Sequence, residues 1–362
     1  MMEIVEIDGS YGEGGGQILR SSIALSALTL RPVRVFNIRA KRTNPGLRPQ
    51  HMTAIRAVAA LTKAKVKGLH KGSMDITFIP QGRFGGFFRF NIGTAGSIPL
   101  VLQALLPAAA FATQPCTFEI TGGTDVMHAP PIDYIRFVLL PWLKLFGYDV
   151  KIELKRRGHY PRGGGLIVAM TNPVTKLRSI KALERGDVLK IEGLSHAVRL
   201  PSHVAIRQAR AAEEVLRNAG YSSIKIDVEY HPPGKDPHLG PGSAIVLWAL
   251  TEKGFLLGSD ALGERGKPAE KVGREAAEKL LAELRSNAPV DSHMGDMLIP
   301  FMAVAEGISR IKVSRLTLHT LTNIYVAERI LGAKFNVYGR EGERGVIEVR
   351  GIGLVNELLR KG

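Results

Sequence analysis

Four short segments of the chain carry residue types that could do chemistry. The first is Gly12-Glu13-Gly14-Gly15-Gly16-Gln17, with Arg20 one turn further on. Glycines between a strand and a helix let backbone N–H groups approach an anion, and a helix N-terminus adds positive potential. No Gly-Lys-Ser/Thr follows, so this is no Walker motif, and it does not match the dinucleotide fingerprint. A carboxylate at Glu13 would repel a phosphate, unless a metal ion bridged the two. A plain turn is the alternative. The second segment, Arg39-Ala-Lys41-Arg42-Thr-Asn-Pro-Gly-Leu-Arg48-Pro-Gln50-His51, gathers cations punctuated by Pro and Gly. That is the make-up of a phosphate-reading loop. A solvated basic loop is the alternative, and nearness to the glycine loop favours function. The third, Gly158-His159-Tyr160-Pro161-Arg162-Gly163-Gly164-Gly165, follows Lys155-Arg156-Arg157. Cations, an aromatic surface and backbone freedom suit nucleic-acid contact; a β-hairpin with a basic flank is the alternative. The fourth is Leu318-His319-Thr320-Leu321-Thr322-Asn323. Neutral imidazole is a competent nucleophile at phosphorus near pH 7, although a lone histidine is more often structural.

These segments need elements that hold them. Glu3 to Ile7 reads as a strand, and Ile18, Leu19, Ile23, Leu25 and Leu28 predict a helix over 17–28. Val33 to Ala40 alternates as a strand, and a helix over 50–61 follows the basic loop. Strands are expected at 76–80, 87–91, 117–121 and 149–154, with an apolar helix after Gly93-Thr94-Ala95-Gly96 and another over 131–146. The stretch 183–272 has a different texture: strand 188–192, helix 204–218, strand 224–230, a Pro/Gly-rich loop, then strands 244–251 and 254–261. Helices over 269–285 and 291–305, a strand over 311–318 ending at His319, a helix over 323–331 and two strands complete the chain. Helix–Gly–strand junctions recur at Gly147, Gly220 and Gly332. Each glycine serves as a left-handed C-cap, which is compatible with a repeated unit of two helices on a small sheet.

Composition bounds the partners. The 362 residues are 45% hydrophobic and 23% charged, as in a soluble globular protein of two or three structural units. Lys plus Arg number 49 against 33 Asp plus Glu, a net charge of +16. That surplus favours nucleic acid, nucleotides or an acidic membrane surface. The single cysteine, Cys116, excludes an intramolecular disulfide and a cysteine-rich zinc site, and fits a reducing, cytoplasmic setting. The first residues do not form a signal peptide. The longest apolar stretch, Ile98 to Thr113, is interrupted by Pro99, Gln103 and Pro107, and no membrane association is expected. The helical and strand patterns together give a mixed α/β or α+β class.

Taken in order, the four segments resemble the signatures of the RNA 3′-terminal phosphate cyclase family. Asp8 to Arg20 resembles its opening signature, Arg39 to His51 its second block, His159 to Gly165 its mid-chain signature, and His319 to Asn323 the block bearing the active histidine. The resemblance implies an α+β fold. A large catalytic domain (1–182 and 273–362) is expected to consist of repeated units, each a four-stranded sheet plus two helices. A smaller inserted α/β domain would span 183–272. The resemblance also implies an ATP-dependent enzyme of the ligase class that converts RNA 3′-terminal phosphate to a 2′,3′-cyclic phosphate. His319 would become covalently attached to AMP, AMP would pass to the RNA 3′-phosphate, and the vicinal 2′-OH would close the ring. Glu13 would bind Mg²⁺ or Mn²⁺, and Arg20, Arg39 and Arg42 would hold phosphates. Asp296 would orient His319 by accepting its ring N–H. Gln17, Gln50, His51, Gln103 and Asn323 would contact ATP, with Pro130, Pro131 and His293 at the adenine. The rival expectation is a non-catalytic cyclase-like RNA-binding factor in ribosome biogenesis. The presence of His319, Glu13 and Arg20 favours the enzyme. Oligomeric state stays open.

Overall fold

In the computed structural model, which describes residues 3–232 and 234–360, the first glycine loop joins β1 (Val5–Asp8) to α1 (Gly16–Thr29). β2 (Val33–Phe36), α2 (Pro49–Thr62), β3 (Lys65–Lys67) and β4 (Ile76–Ile79) follow. Alternation builds this sheet: Val33 and Val35 of β2, with Ile76 and Phe78 of β4, point into the core and are fully buried. The strand order is β1-β2-β4-β3, with β1 parallel to β2 and the other pairs antiparallel. β2 is shorter than the expected strand over 33–40, because Asn37 and Arg39 take positive φ and turn the chain into the basic loop.

The same order recurs twice. β5 (Gly86–Asn91), α3 (Ile98–Ala109), β6 (Cys116–Gly122), a helical run, β7 (Val150–Arg156) and β8 (Gly165–Thr171) form the sheet β5-β6-β8-β7. The run comprises α4 (Ile132–Tyr134), a π-helical turn (Ile135–Leu139) and α5 (Leu140–Leu145). The expected single helix over 131–146 is therefore broken in register. Pro141, at the start of α5, has no N–H to donate there.

The third sheet is assembled from distant segments. β9 (Lys181–Ala182) pairs with a strand that follows the whole stretch comprising β10 (Val188–Val198), α6 (His203–Asn218), β11 (Ile224–Tyr230), β12 (Gly242–Thr251), β13 (Leu256–Leu262) and α7 (Ala269–Arg285). After α8 (Met294–Met297) and α9 (Ile299–Val304) come that strand, β14 (Ile308–Val313), then α10 (Leu318–Leu331), β15 (Phe335–Tyr338) and β16 (Gly345–Arg350). Their order is β15-β16-β14-β9, which read from the β9 edge is again first–second–fourth–third in chain order.

The fourth sheet, β11-β10-β12-β13, has a different order and its own apolar core. Ile191, Leu247 and Leu257 pack there against Val272, Ala276, Ala277, Leu280, Leu281 and Leu284, which share one face of α7. A boundary at 272 would cut through this helix. The apolar face of α7 stays against the fourth sheet as far as Leu284. Two expectations about single elements are corrected. The helix over 291–305 is two short helices, α8 and α9. His319 does not end a strand, because β14 stops at Val313 and Thr317 caps α10, accepting from the Thr320 N–H at 3.1 Å. Among the described residues, no helix is long and apolar enough to cross a membrane.

Candidate active site

Helix N-termini converge on a cleft of about 750 Å³. Gly16 and Gln17 open α1, Gln50 and His51 lie in the first turn of α2, and His319 lies in the first turn of α10; all line the cleft. Free N–H groups and the helix dipole make such ends attractive to anions. α2 and α10 hold the same place in their sheets, between the second and third strands. His51 and His319 are therefore topological counterparts. The matching crossover of the second sheet supplies Met127, His128, Ala129 and Pro130.

The glycine loop is fitted to both histidines. Gly12 takes φ +59°, and a Cβ there would run into Thr322 Oγ1 of α10. The Glu13 amide donates to that oxygen at 3.4 Å, and Tyr11 stacks on Tyr325 with centroids 3.8 Å apart. The loop is thus tied to α10, and Glu13 Oε2 comes within 4.0 Å of His319 Nδ1. Gly16 leaves room for His51, whose Nε2 a Cβ would strike. His51 Nδ1 accepts from the Arg48 N–H at 3.1 Å. Burial, with Arg20, Arg39 and Arg48 adding to it, holds the His51 pKa down to about 3. The neutral ring therefore carries its proton on Nε2, beside the start of α1.

Positive charge dominates the cleft. Arg20, Arg39, Arg42, Arg48 and Lys279 line it, against the carboxylates of Glu13, Asp260 and Asp296. Arg20 is 7% exposed. Its Nη2 donates to Gln17 Oε1 at 2.5 Å, its Nε has no partner, and burial lowers its pKa to about 10 against the pull of Asp296. A buried guanidinium with donors to spare is a ready anion site. Arg39 braces its own loop, donating to the carbonyls of Asn44 at 2.6 Å and Gly46 at 2.9 Å. Arg42 pairs with Glu13. The His319 side chain is 47% exposed. Burial lowers its pKa and Asp296 opposes this, while Arg20, His293 and Arg42 add to the lowering. Its imidazole is consequently neutral near pH 7, the nucleophilic form.

Glu13, Gln17, Arg20, Arg39, Arg42, Gln50, His51, Gln103, Pro130, His293, Asp296 and His319 thus share one cleft. Three residues stand otherwise than the resemblance implied. Asp296 makes no hydrogen bond to His319. Its Oδ1 is buried without a partner, and the carboxylate beside the ring is that of Glu13, because the first turn of α10 faces the glycine loop. Asn323 is buried and does not line the cleft. It accepts from Gln17 Nε2 at 3.2 Å and Ser21 Oγ at 2.6 Å, and it donates to the Asp296 carbonyl at 2.9 Å, so it positions α1 against α8. Pro131 is buried at the start of α4, leaving only Pro130 at the cleft wall. Gln50 spends its carbonyl on the Ser97 N–H at 3.0 Å, holding the start of α3. The Gly158–Gly165 segment lies outside the cleft altogether, with His159 buried and Tyr160 exposed.

A family model described as RNA 3′-terminal phosphate cyclase matches residues 11–337. The chain belongs to this family. A relative named RNA 3′-terminal phosphate cyclase, from Staphylothermus marinus, is 58% identical over 355 residues, covering 98% of this chain and 99% of the relative. Relatives of the same name from Ignicoccus hospitalis and Hyperthermus butylicus are 53% and 56% identical, each over 96% of this chain and over 99% and 98% of their own length. In this cyclase-family cleft, sequence reading missed Asp260 and Lys279, which come from β13 and α7. Nothing near them in sequence marks them, since they reach the cleft only through the packing of the fourth sheet. Arg48 carried a signal, as the last cation of the basic loop before Pro49. Thr317 likewise marked the true start of α10, because Leu318, Leu321, Tyr325 and Glu328 continue at helical spacing.

Proposed function

We propose that this chain converts an RNA 3′-terminal phosphate to a 2′,3′-cyclic phosphate, using ATP, in the cleft headed by His319. The observation that carries the reading is a neutral, half-exposed imidazole in the first turn of a helix, facing a cation-lined cleft. Adenylation is needed because a phosphate dianion has no good leaving group. With Nδ1 turned to Glu13, we assign the attack to Nε2. An N–P bond forms at the α-phosphorus of ATP, the α–β bridging P–O bond breaks, and pyrophosphate leaves. An oxygen of the RNA 3′-phosphate then attacks the same phosphorus, and the N–P bond breaks to restore the imidazole. The vicinal 2′-OH attacks the RNA phosphorus, gives up its proton, and AMP departs. Arg20, Arg39, Arg42 and the Nε2–H of His51 hold phosphate oxygens, and the helix N-termini add to them. Gln17, Gln50 and Gln103 make polar contacts to the nucleotide; Pro130 and His293 flank the adenine.

A divalent ion fits this donor set. Glu13 offers one hard carboxylate at the phosphate end, and Mg²⁺ or Mn²⁺ takes one or two such groups plus substrate oxygens. Glu13 would exchange Arg42 for the ion, which supplies charge neutralisation of the triphosphate. The three similar sheets would form the catalytic domain, and the fourth sheet with α6 and α7 an inserted one. The test is labelling with α-³²P-ATP. A histidine-linked, acid-labile and alkali-stable label, absent in His319→Ala, is expected. A folded protein that binds RNA but takes no label would replace this reading with a non-catalytic RNA-binding factor.

A further inference from the structure

A second constellation lies where the inserted strand β10 meets the second sheet. His159, between β7 and β8, His196 on β10, and Asp125, after β6, are 6%, 0% and 2% exposed. One ligand atom of each lies within 4.8 Å of the others. His159 Nε2 and His196 Nε2 are 3.1 Å apart, and His196 Nε2 is 3.9 Å from Asp125 Oδ2. Donors roughly 2.0–2.1 Å from a tetrahedral ion stand about 3.3 Å apart. The nitrogen pair is already at that spacing, and the carboxylate would have to move in towards both rings to join it.

One further feature points to a cation. Asp125 Oδ1 is buried without a hydrogen-bond partner. Arg157 faces Asp125 at 3.6 Å, Asp133 at 2.7 Å and Glu229 at 2.7 Å, and Arg136 adds a 2.8 Å contact to Asp133. Asp125 has the longest of these contacts. A bond between the two imidazoles, Nε2–H to Nε2, would account for their spacing but would leave Asp125 Oδ1 unsatisfied.

We propose that Asp125, His159 and His196 bind one divalent ion of the Zn²⁺ class, fastening the inserted β10 to the loops of the second sheet. Two imidazoles and a carboxylate select a borderline ion over Mg²⁺, which separates this site from Glu13. The ion would also set one wall of the cleft, because Asp260 and Lys279 belong to the same sheet and helix assembly as His196.

The test uses full-length protein stripped with a chelator and titrated with Co²⁺. One equivalent should give strong visible d–d absorption that Zn²⁺ displaces. The signal should persist in Glu13→Gln. It should weaken in His159→Gln and His196→Gln by more than about 100-fold in affinity, beyond the range for outer-shell partners. No absorption from folded wild-type protein, or wild-type absorption and affinity retained in both histidine variants, overturns the proposal. If those variants do not fold, ¹⁵N-histidine spectra of the wild type decide. Zn²⁺ must shift the two imidazoles of His159 and His196, and a shift of neither overturns the site.

Discussion

Arg20 and Arg157 are both buried guanidinium groups, 7% and 1% exposed, in opposite circumstances. Burial would lower the pKa of Arg157, but Asp133, Glu229 and Asp125 outweigh it and the pKa is raised. Burial lowers that of Arg20 to about 10, and Asp296 opposes it only through space. The first is held by its neighbours. The second keeps donors in reserve, and the cleft around it has the same character, with more cations than carboxylates. Unpaired buried charge is costly, so it persists where an incoming anion completes the balance.

The largest effect expected from this contrast is on folding. Arg157→Met leaves three carboxylates facing one another, and it should cost about 3–5 kcal/mol of stability, read as a lower urea midpoint. A loss under about 1 kcal/mol would mean that those carboxylates are not ionised together, and the contrast would fail. Arg20→Met should do the reverse. Transfer of AMP should fall about 100-fold in kcat/KM or more, as when a transition-state donor is removed, while the melting temperature holds or rises. A stability loss matching that of Arg157→Met would make Arg20 a structural residue.

Smaller effects separate the two histidine counterparts. His51 has a folded pKa of about 3, against about 6.5 in the unfolded chain. As pH falls the unfolded chain takes up the proton first. The stabilising contribution is full above pH 6.5 and declines from there towards pH 3. Between pH 7 and pH 5 the wild type should lose about 2 kcal/mol more stability than His51→Gln. Equal losses would mean that His51 gains a proton without unfolding. For His319 the depressed pKa acts on rate. Formation of the histidine–AMP should decline as pH falls, with a midpoint below 6.5. A midpoint above 6.5 would show a ring held protonated by Asp296 and Glu13.

The parts of the site that were legible in the sequence are those built from contiguous residues. The glycine loop, the basic loop ending at His51, and His319 each carry their chemistry and their local geometry together. The strands and helices around them follow from apolar spacing, as in α1 and in the alternation of β2. Boundaries were less legible where a cap outranked periodicity. Thr317 moved the start of α10 ahead of His319, and Pro141 with the π-helical turn split the helical run of the second sheet.

Sequence alone determined which short segments gather cations, glycines and imidazoles, because charge, ring chemistry and glycine freedom belong to the residue and its immediate neighbours, while the roles expected of His319 and the arginines came with the family resemblance. Tertiary structure decided their partners. Glu13, not Asp296, stands beside His319; Asn323 turns inward to hold α1; Asp260 and Lys279 arrive from the fourth sheet; His159 leaves the nucleic-acid surface for a buried meeting with His196 and Asp125. Each of these pairings joins residues far apart in the chain. They are set by how sheets stack and by which helix face is apolar, and such long-range packing leaves no mark at the positions it brings together.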